Sequence, residues 1–155
     1  MLVRDPQLRG GELLSWAREL RAATLAVGAQ LWVNDRLDVA SMVEADGIHL
    51  GRRSVNVVDA RRALGEGVVV SVSAHDMDDV ARARDAGAGA VLLSPIFASP
   101  GKSTPLGLDG LRAARAWLEG SPTRLVALGG IEASTTSWCL AAGAHGVAAI
   151  RADLG

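Results

Sequence analysis

The sequence holds one cysteine, Cys139, in 155 residues. That excludes an internal disulfide framework and suits a reducing compartment. An excess of either charge is also missing, since 16 Lys and Arg face 17 Asp and Glu for a net charge of −1. Such a balance argues against a protein held on DNA or RNA by general electrostatics, while leaving room for a local basic pocket that takes a small anion. No segment approaches the roughly 18–20 consecutive apolar residues that a membrane span needs. The opening MLVRDPQLRGGELL has neither the basic start nor the unbroken apolar run of a secretory leader. The expectation is a cytoplasmic protein, one domain over residues 1–155, without nucleic-acid or membrane partners.

What is present is apolar and periodic. Hydrophobic residues make up 49% of the chain, enough for a sizeable core. Runs rich in Val, Ile, Leu and Ala read as strands buried on both faces, the pattern of a parallel sheet. They are Leu2–Arg4, Leu31–Asn34, Gly47–Leu50, Val68–Ser73, Ala90–Ser94, Leu125–Leu128 and Gly146–Ile150. Stretches of helical period alternate with them: Glu12–Val27, Val57–Leu64, Met77–Asp85, Asp109–Leu118 and Ser134–Ala142. In the first, Leu13, Leu14, Ala17 and Leu20 share one face. Asp76 and Ser134 are suited to cap helices. The junctions EADGIHLG, DAGAGAVLLS and AAGAHGVAAI repeat one theme, a helix ending through Ala and Gly into a buried strand. Such repetition points to a β/α barrel or an open doubly wound sheet, whose functional residues follow the carboxyl ends of the strands.

The polar residues fall at those ends. Asn34, Asp35 and Arg36 follow LWV, and Asp35 either serves a metal or cationic substrate or belongs to a capping cluster. His49 ends GIHL as a core histidine or a catalytic one. Arg52, Arg53 and Ser54 come next, and Ser71, Ser73 and His75 end VVVSVSAH. His75 stands beside a helix start as a cap or an acid–base group, and His145 is expected to be solvated. The segment SPIFASPGKSTPLG, with Ser99 and Lys102, is long for a βα turn and reads as a lid or binding loop. Gly129-Gly130 leaves backbone N–H groups open to an anion. Ile150 and Arg151, at the end of the last strand, complete a phosphate-binding set of the kind β/α barrels build there.

The segments LWVNDRLDVASMVEADGIHLG, VSVSAHDMDDVARARDAGAGAVLLSPIFASPGK, PLGLDGL and LVALGGIEASTTSWCLAAGAHGVAAI resemble the thiamine-phosphate synthase/TenI family, in order and spacing, over nearly the whole chain. The resemblance implies an α/β, TIM-type (β/α)8 barrel. Relative to the family, the first strand with its helix and the last helix are missing, which suggests a homodimer or a pathway enzyme as cover. The implied ligand is a thiazole phosphate or thiamine phosphate. In the synthase branch a hydroxymethylpyrimidine diphosphate is joined to a thiazole phosphate with loss of diphosphate, aided by Mg²⁺. By that resemblance Arg4 and Ser73 serve the diphosphate, and Asn34 and Asp35 match an asparagine and a magnesium aspartate. Lys102 matches the lysine of the loop after the family's sixth strand, and Gly130 a glycine at the thiazole phosphate.

Departures from the synthase pattern are as specific. Leu2 and Pro6 stand for a glutamine and a lysine, and Ser54 stands for the second magnesium aspartate. Ser99 and Gly101 replace two threonines, and Arg151 replaces a phosphate-binding serine. Ser54 brings the chain closer to the TenI branch, some of whose members tautomerise a thiazole carboxylate phosphate. The histidine those members use aligns with Pro95, leaving His49 or His75 as substitutes. The expectation is therefore a TenI-like thiazole-phosphate protein. The alternatives are an active synthase, a non-catalytic partner of the pathway, or a generic sugar-phosphate barrel, which would explain Gly129-Gly130 but not the NDR and SPIFASPGK segments.

Overall fold

Among the described residues the apolar runs form seven strands, β1 (Leu2–Val3), β2 (Trp32–Asn34), β3 (Gly47–Leu50), β4 (Val69–Ala74), β5 (Ala90–Leu93), β6 (Arg124–Leu128) and β7 (Gly146–Ala148). Helices alternate with them: α1 (Gly10–Ala26), α2 (Leu37–Met42), α3 (Val57–Leu64), α4 (Met77–Asp85), α5 (Gly107–Trp117) and α6 (Ala133–Ala141). The structure, a computed structural model, describes residues 1–101 and 104–150. The chain divides into two compact units, one ending at Ser71 and the other beginning at Val72, so that β4 passes from one into the other.

In the first unit β1, β2 and β3 are parallel, with Leu2 opposite Trp32, Val33 opposite Ile48 and Asn34 opposite His49. Val69 at the start of β4 donates its N–H to the carbonyl of Asp46, at 3.0 Å. All four β3 residues, the polar His49 among them, are buried. Leu13 and Ala17 turn the inner face of α1 to the core, while Leu14 and Leu20 are only half-buried. Arg21 also turns inward and pairs with Asp46 at 2.7 Å. The same carboxylate oxygen accepts the N–H of fully buried Leu31 at 2.8 Å. That bond is the main reason the Asp46 carboxyl is held below the usual carboxylate range, with Arg21 adding to it.

In the second unit β5, β6 and β7 are parallel, with Leu92 opposite Val126 and Ala127 opposite Val147. The end of β4 lies beside the end of β5, where Ser94 donates its N–H to the Ala74 carbonyl at 2.9 Å. Val70 in the first unit, and Val91, Leu93, Ile96, Leu111, Leu118 and Leu125 in the second, are wholly buried.

The helix signals hold in part. Asp76 caps α4 by accepting the Asp79 N–H at 2.7 Å, as its sequence suggests. Ser134 does not cap α6. The helix begins one residue earlier, at Ala133, and the Thr135 hydroxyl accepts the N–H of Glu132 at 3.0 Å instead. The six-residue α2 lacks a sequence signal because it is shorter than two helical turns. Its first turn is braced by Arg36, whose guanidinium bonds both oxygens of Asp38, at 2.8 and 2.5 Å.

The repeated junctions are built in two ways. After α4 and α6 the left-handed residue is a glycine, Gly87 (φ 71°) or Gly143 (φ 99°). After α2 it is Glu44 (φ 48°), which frees the glycine of ADGIHLG for another use. A Cβ on Gly47 would lie 2.4 Å from the ring of Trp32, so this glycine is required by packing.

Candidate functional site

The first unit gathers charge where its strands end. Arg4 follows β1, Asn34 ends β2 and Asp35 comes next. All three line a cavity of about 230 Å³, together with Asp5, Pro6, Leu8, Leu13 and Arg36. Asp35 extends the β2–β3 ladder by donating its N–H to the His49 carbonyl at 2.9 Å, then turns with φ 59°, a conformation Asp tolerates better than most residues. Its carboxylate accepts the Asn34 side-chain N–H at 2.8 Å and the Gly51 N–H at 3.3 Å, and also the Ser54 hydroxyl. Ser54 in turn accepts the Gly51 N–H at 2.7 Å. The capping alternative therefore describes Arg36 alone, which braces α2 through Asp38. Asp35 reaches instead to the turn that follows β3. Asp38 is held at about 2, chiefly by its hydrogen bond from Arg36.

His49 is buried, and its Nδ1 lies 3.0 Å from the hydroxyl of buried Ser71. Burial pushes its pKa below the ordinary histidine value; the Asp35 charge opposes this and the Arg4 charge adds to it. His49 is thus a hydrogen-bonded core histidine within the field of two site charges. Arg52 and Arg53 are exposed in the turn after β3.

The second unit carries the remaining candidates. Ser73 is half-buried near the end of β4. His75 is not a helix cap, a role Asp76 fills. Its ring donates from Nδ1 to the Ser94 carbonyl at 2.8 Å, tying the ends of β4 and β5 together. The long segment after β5 is pinned at its base, since Ile96 and Phe97 donate N–H groups to the carbonyls of Leu128 and Gly129, both at 3.0 Å. Leu106 and Gly107 return to the carbonyls of Pro95 and Ile96 at 2.9 and 3.0 Å. Ser99 is half-buried in this loop, while Lys102 lies outside the described residues.

Gly129 and Gly130 have positive φ, 92° and 64°. A Cβ on Gly129 would sit 2.9 Å from Pro95 Cα, and one on Gly130 2.6 Å from the Ala98 carbonyl oxygen. Close packing of the loop against this turn thus requires glycine at both positions, independently of any anion. Ile150 is exposed, and Arg151 lies outside the described residues. His145 is exposed as expected, yet its Nδ1 accepts the Leu125 N–H at 3.0 Å.

Sequence reasoning gave no separate role to Ser71, one of two serines among the apolar residues of β4. For a metal, the described residues contain no group of three or more His, Cys, Asp or Glu side chains able to hold one. Asp35 with the Ser54 hydroxyl is a one-carboxylate donor set. It fits Mg²⁺ in the manner of ions that share substrate phosphates and keep water ligands, and does not fit a protein-only cage.

Parallel strands alternating with helices, with an arginine, an amide and a carboxylate at their carboxyl ends, define a TIM-type β/α protein with a site suited to an anion. Residues 1–152 match the family described as thiamine monophosphate synthase. A thiamine-phosphate synthase of Moorella thermoacetica is 38% identical over 99% of this chain and 73% of its own length. One of Methanoculleus marisnigri is 42% identical over 99% of this chain and 72% of its own. A solved structure, thiamine phosphate pyrophosphorylase from Pyrococcus furiosus, superposes with a TM-score of 0.84 at 26% identity, covering 96% of this chain and 70% of that one. The chain belongs to the thiamine-phosphate synthase/TenI family.

Proposed function

We propose that this chain acts as a thiamine-phosphate synthase, joining a hydroxymethylpyrimidine diphosphate to a thiazole phosphate with release of diphosphate. The observation that carries the reading is the meeting of Arg4, Asn34 and Asp35 around one cavity. The names of the relatives at about 40% identity support it further. In the reaction the bond from the pyrimidine methylene carbon to the diphosphate oxygen breaks with its electron pair on oxygen. The thiazole nitrogen then forms the new bond to that carbon. Arg4 stabilises the charge that grows on the leaving group through charge-assisted hydrogen bonds. Asn34 steadies the Asp35 carboxylate through its side-chain N–H. Asp35 and Ser54 would hold a magnesium ion shared with the diphosphate, which supplies further neutralisation of the leaving group when bound. Burial, which lowers the His49 pKa, disfavours a second positive charge beside Arg4. By resemblance alone, Gly130 and Arg151 are assigned to the thiazole-phosphate end, and Ser99 and Lys102 to the loop after the family's sixth strand.

The test is magnesium-dependent diphosphate release from the two substrates. Arg4→Ala is expected to lower kcat about 100-fold, in line with the loss of one stabilising donor. An Asp35→Ala protein that turns over at the wild-type rate would refute the metal role. A TenI-like activity is the second reading, favoured by one observation, a hydroxyl and not a second carboxylate beside Asp35. Conversion of thiazole carboxylate phosphate to its aromatic tautomer, with no diphosphate release in the presence of both substrates, would reverse the preference. Pro95, at the position of that branch's histidine, argues against this outcome.

A further inference from the structure

The cavity that Arg4, Asn34 and Asp35 share is also lined by Arg36, Asp5 and Pro6. Its charged side chains are Arg4 and Arg36 against Asp5 and Asp35. Without Arg36 the carboxylates outnumber the guanidinium, and an entering anion would meet a lining of its own sign. Arg36 brings the lining to balance, and Pro6 adds no charge. Its Nε and Nη2 bond the two oxygens of Asp38, at 2.8 and 2.5 Å. A guanidinium carries more donors than this pair consumes, and Nη1 has no partner among the described residues. On another side the group meets the start of α1, where a Cβ on Gly10 would lie 3.1 Å from Nη2 and 3.7 Å from Nη1. Glycine there gives the guanidinium its room. Asp38 and Gly10 thus hold the group in one place, while 38% of the Arg36 side chain stays exposed.

We propose that Arg36 is a second guanidinium contact, beside Arg4, for the anionic end of the ligand in this cavity. It takes a diphosphate oxygen through Nη1, while Asp38 keeps the planar group from turning away. The brace that Arg36 gives α2 is then also what orients its free edge. That the anion is the diphosphate of a substrate rests on the synthase reading; the anion contact itself does not.

The test is calorimetric titration of the full chain with inorganic diphosphate at a fixed magnesium concentration. Arg36→Ala should weaken binding about 10-fold, the scale of one charge-assisted hydrogen bond. Arg36→Gln, which keeps much of the side chain's reach without its charge, should weaken it as much. Asp38→Ala removes the same brace from α2 but leaves the guanidinium, so it should stay within about threefold of wild type. The pair is exposed, so its loss should cost the fold little. Equal weakening by Arg36→Ala and Asp38→Ala would mean that Arg36 acts only through α2. Wild-type affinity in either Arg36 variant would remove it from the site. Each of these results overturns the proposal, as does a wild-type protein that binds no diphosphate. If Arg36→Ala loses diphosphate but wild-type protein releases none from the two substrates, the synthase reading fails and the contact stands. If wild-type protein turns over and Arg36→Ala binds diphosphate equally well, the contact fails and the synthase reading stands.

Discussion

Replacing Gly130 by alanine separates two explanations of the Gly129-Gly130 turn. If glycine is there only to leave N–H groups open to an anion, the added methyl group affects ligand binding and little else. The geometry says otherwise. At φ 64° an L-residue in the left-handed region costs about 1–2 kcal/mol. The new Cβ would also lie 2.6 Å from the Ala98 oxygen and 2.9 Å from the Phe97 carbonyl carbon, backbone atoms that cannot rotate aside. The Phe97 segment is itself held by N–H bonds from Ile96 and Phe97 to the neighbouring strand end. Relieving the overlap by moving that segment adds about 1–3 kcal/mol, as for other overpacked sites. The expected loss is about 3 kcal/mol, a large part of an ordinary folding stability. Gly28→Ala is the internal control, because Gly28 has nearly the same φ, 66°, with no atom within 4 Å of its Cβ position. It should lose only the conformational part, about 1 kcal/mol. Urea unfolding of the two variants beside wild type gives both numbers from the shift in midpoint at constant slope. Equal losses in the two variants would refute the packing argument.

Two further outcomes follow from buried groups. Asp46→Ala should cost about 2 kcal/mol at pH 7, because the buried Leu31 N–H loses its acceptor and Arg21 its partner, the ion-pair share being discounted for partial exposure. The folded-state pKa of Asp46 lies below its ordinary value of 3.8, so its contribution is present above that value and lost as pH falls through the folded one; acid-unfolding curves of Asp46→Asn should be flatter over that window, and identical curves would contradict it. Cys139 is fully buried and burial pushes its thiol pKa up, so a thiol reagent should leave the folded protein unmodified and label it completely in denaturant.

The strands among the described residues are legible in the sequence as apolar runs, but the expected burial on both faces holds throughout only for β3; β7 has no fully buried residue. Long helices are legible from periodicity, and the cap at Asp76 from residue type, but the start of α6 is not. Ser134 is a better cap by residue type than Glu132, yet α6 starts after Glu132, because the Thr135 hydroxyl holds the Glu132 N–H. What decides such a start is which donor a side chain reaches. Gly47 and Gly130 show the same limit, for a glycine in the sequence signals freedom of backbone while the structure uses the absence of a Cβ.

The candidate site follows this division between position and partner. Strand ends placed Arg4, Asn34 and Asp35 correctly, since a residue that follows a parallel strand has little choice of location. Their bonding was not legible, because it depends on the left-handed turn at Asp35 that aims the carboxylate toward the β3–α3 turn. Once aimed there, Asp35 receives the Ser54 hydroxyl, at the position where the synthase pattern carries a second aspartate. A hydroxyl donor beside a single carboxylate avoids the repulsion two close carboxylates would suffer. The arrangement therefore does not need a resident metal to be electrostatically stable. Under the proposed synthase reading it would meet a magnesium ion together with the diphosphate, balanced by Arg4 across the same cavity. Ser54→Asp should invert this: two adjoining carboxylates would tighten the binding of free Mn²⁺, read by titration without diphosphate. Equal affinity of the two proteins for the bare ion would count against the role given to Ser54.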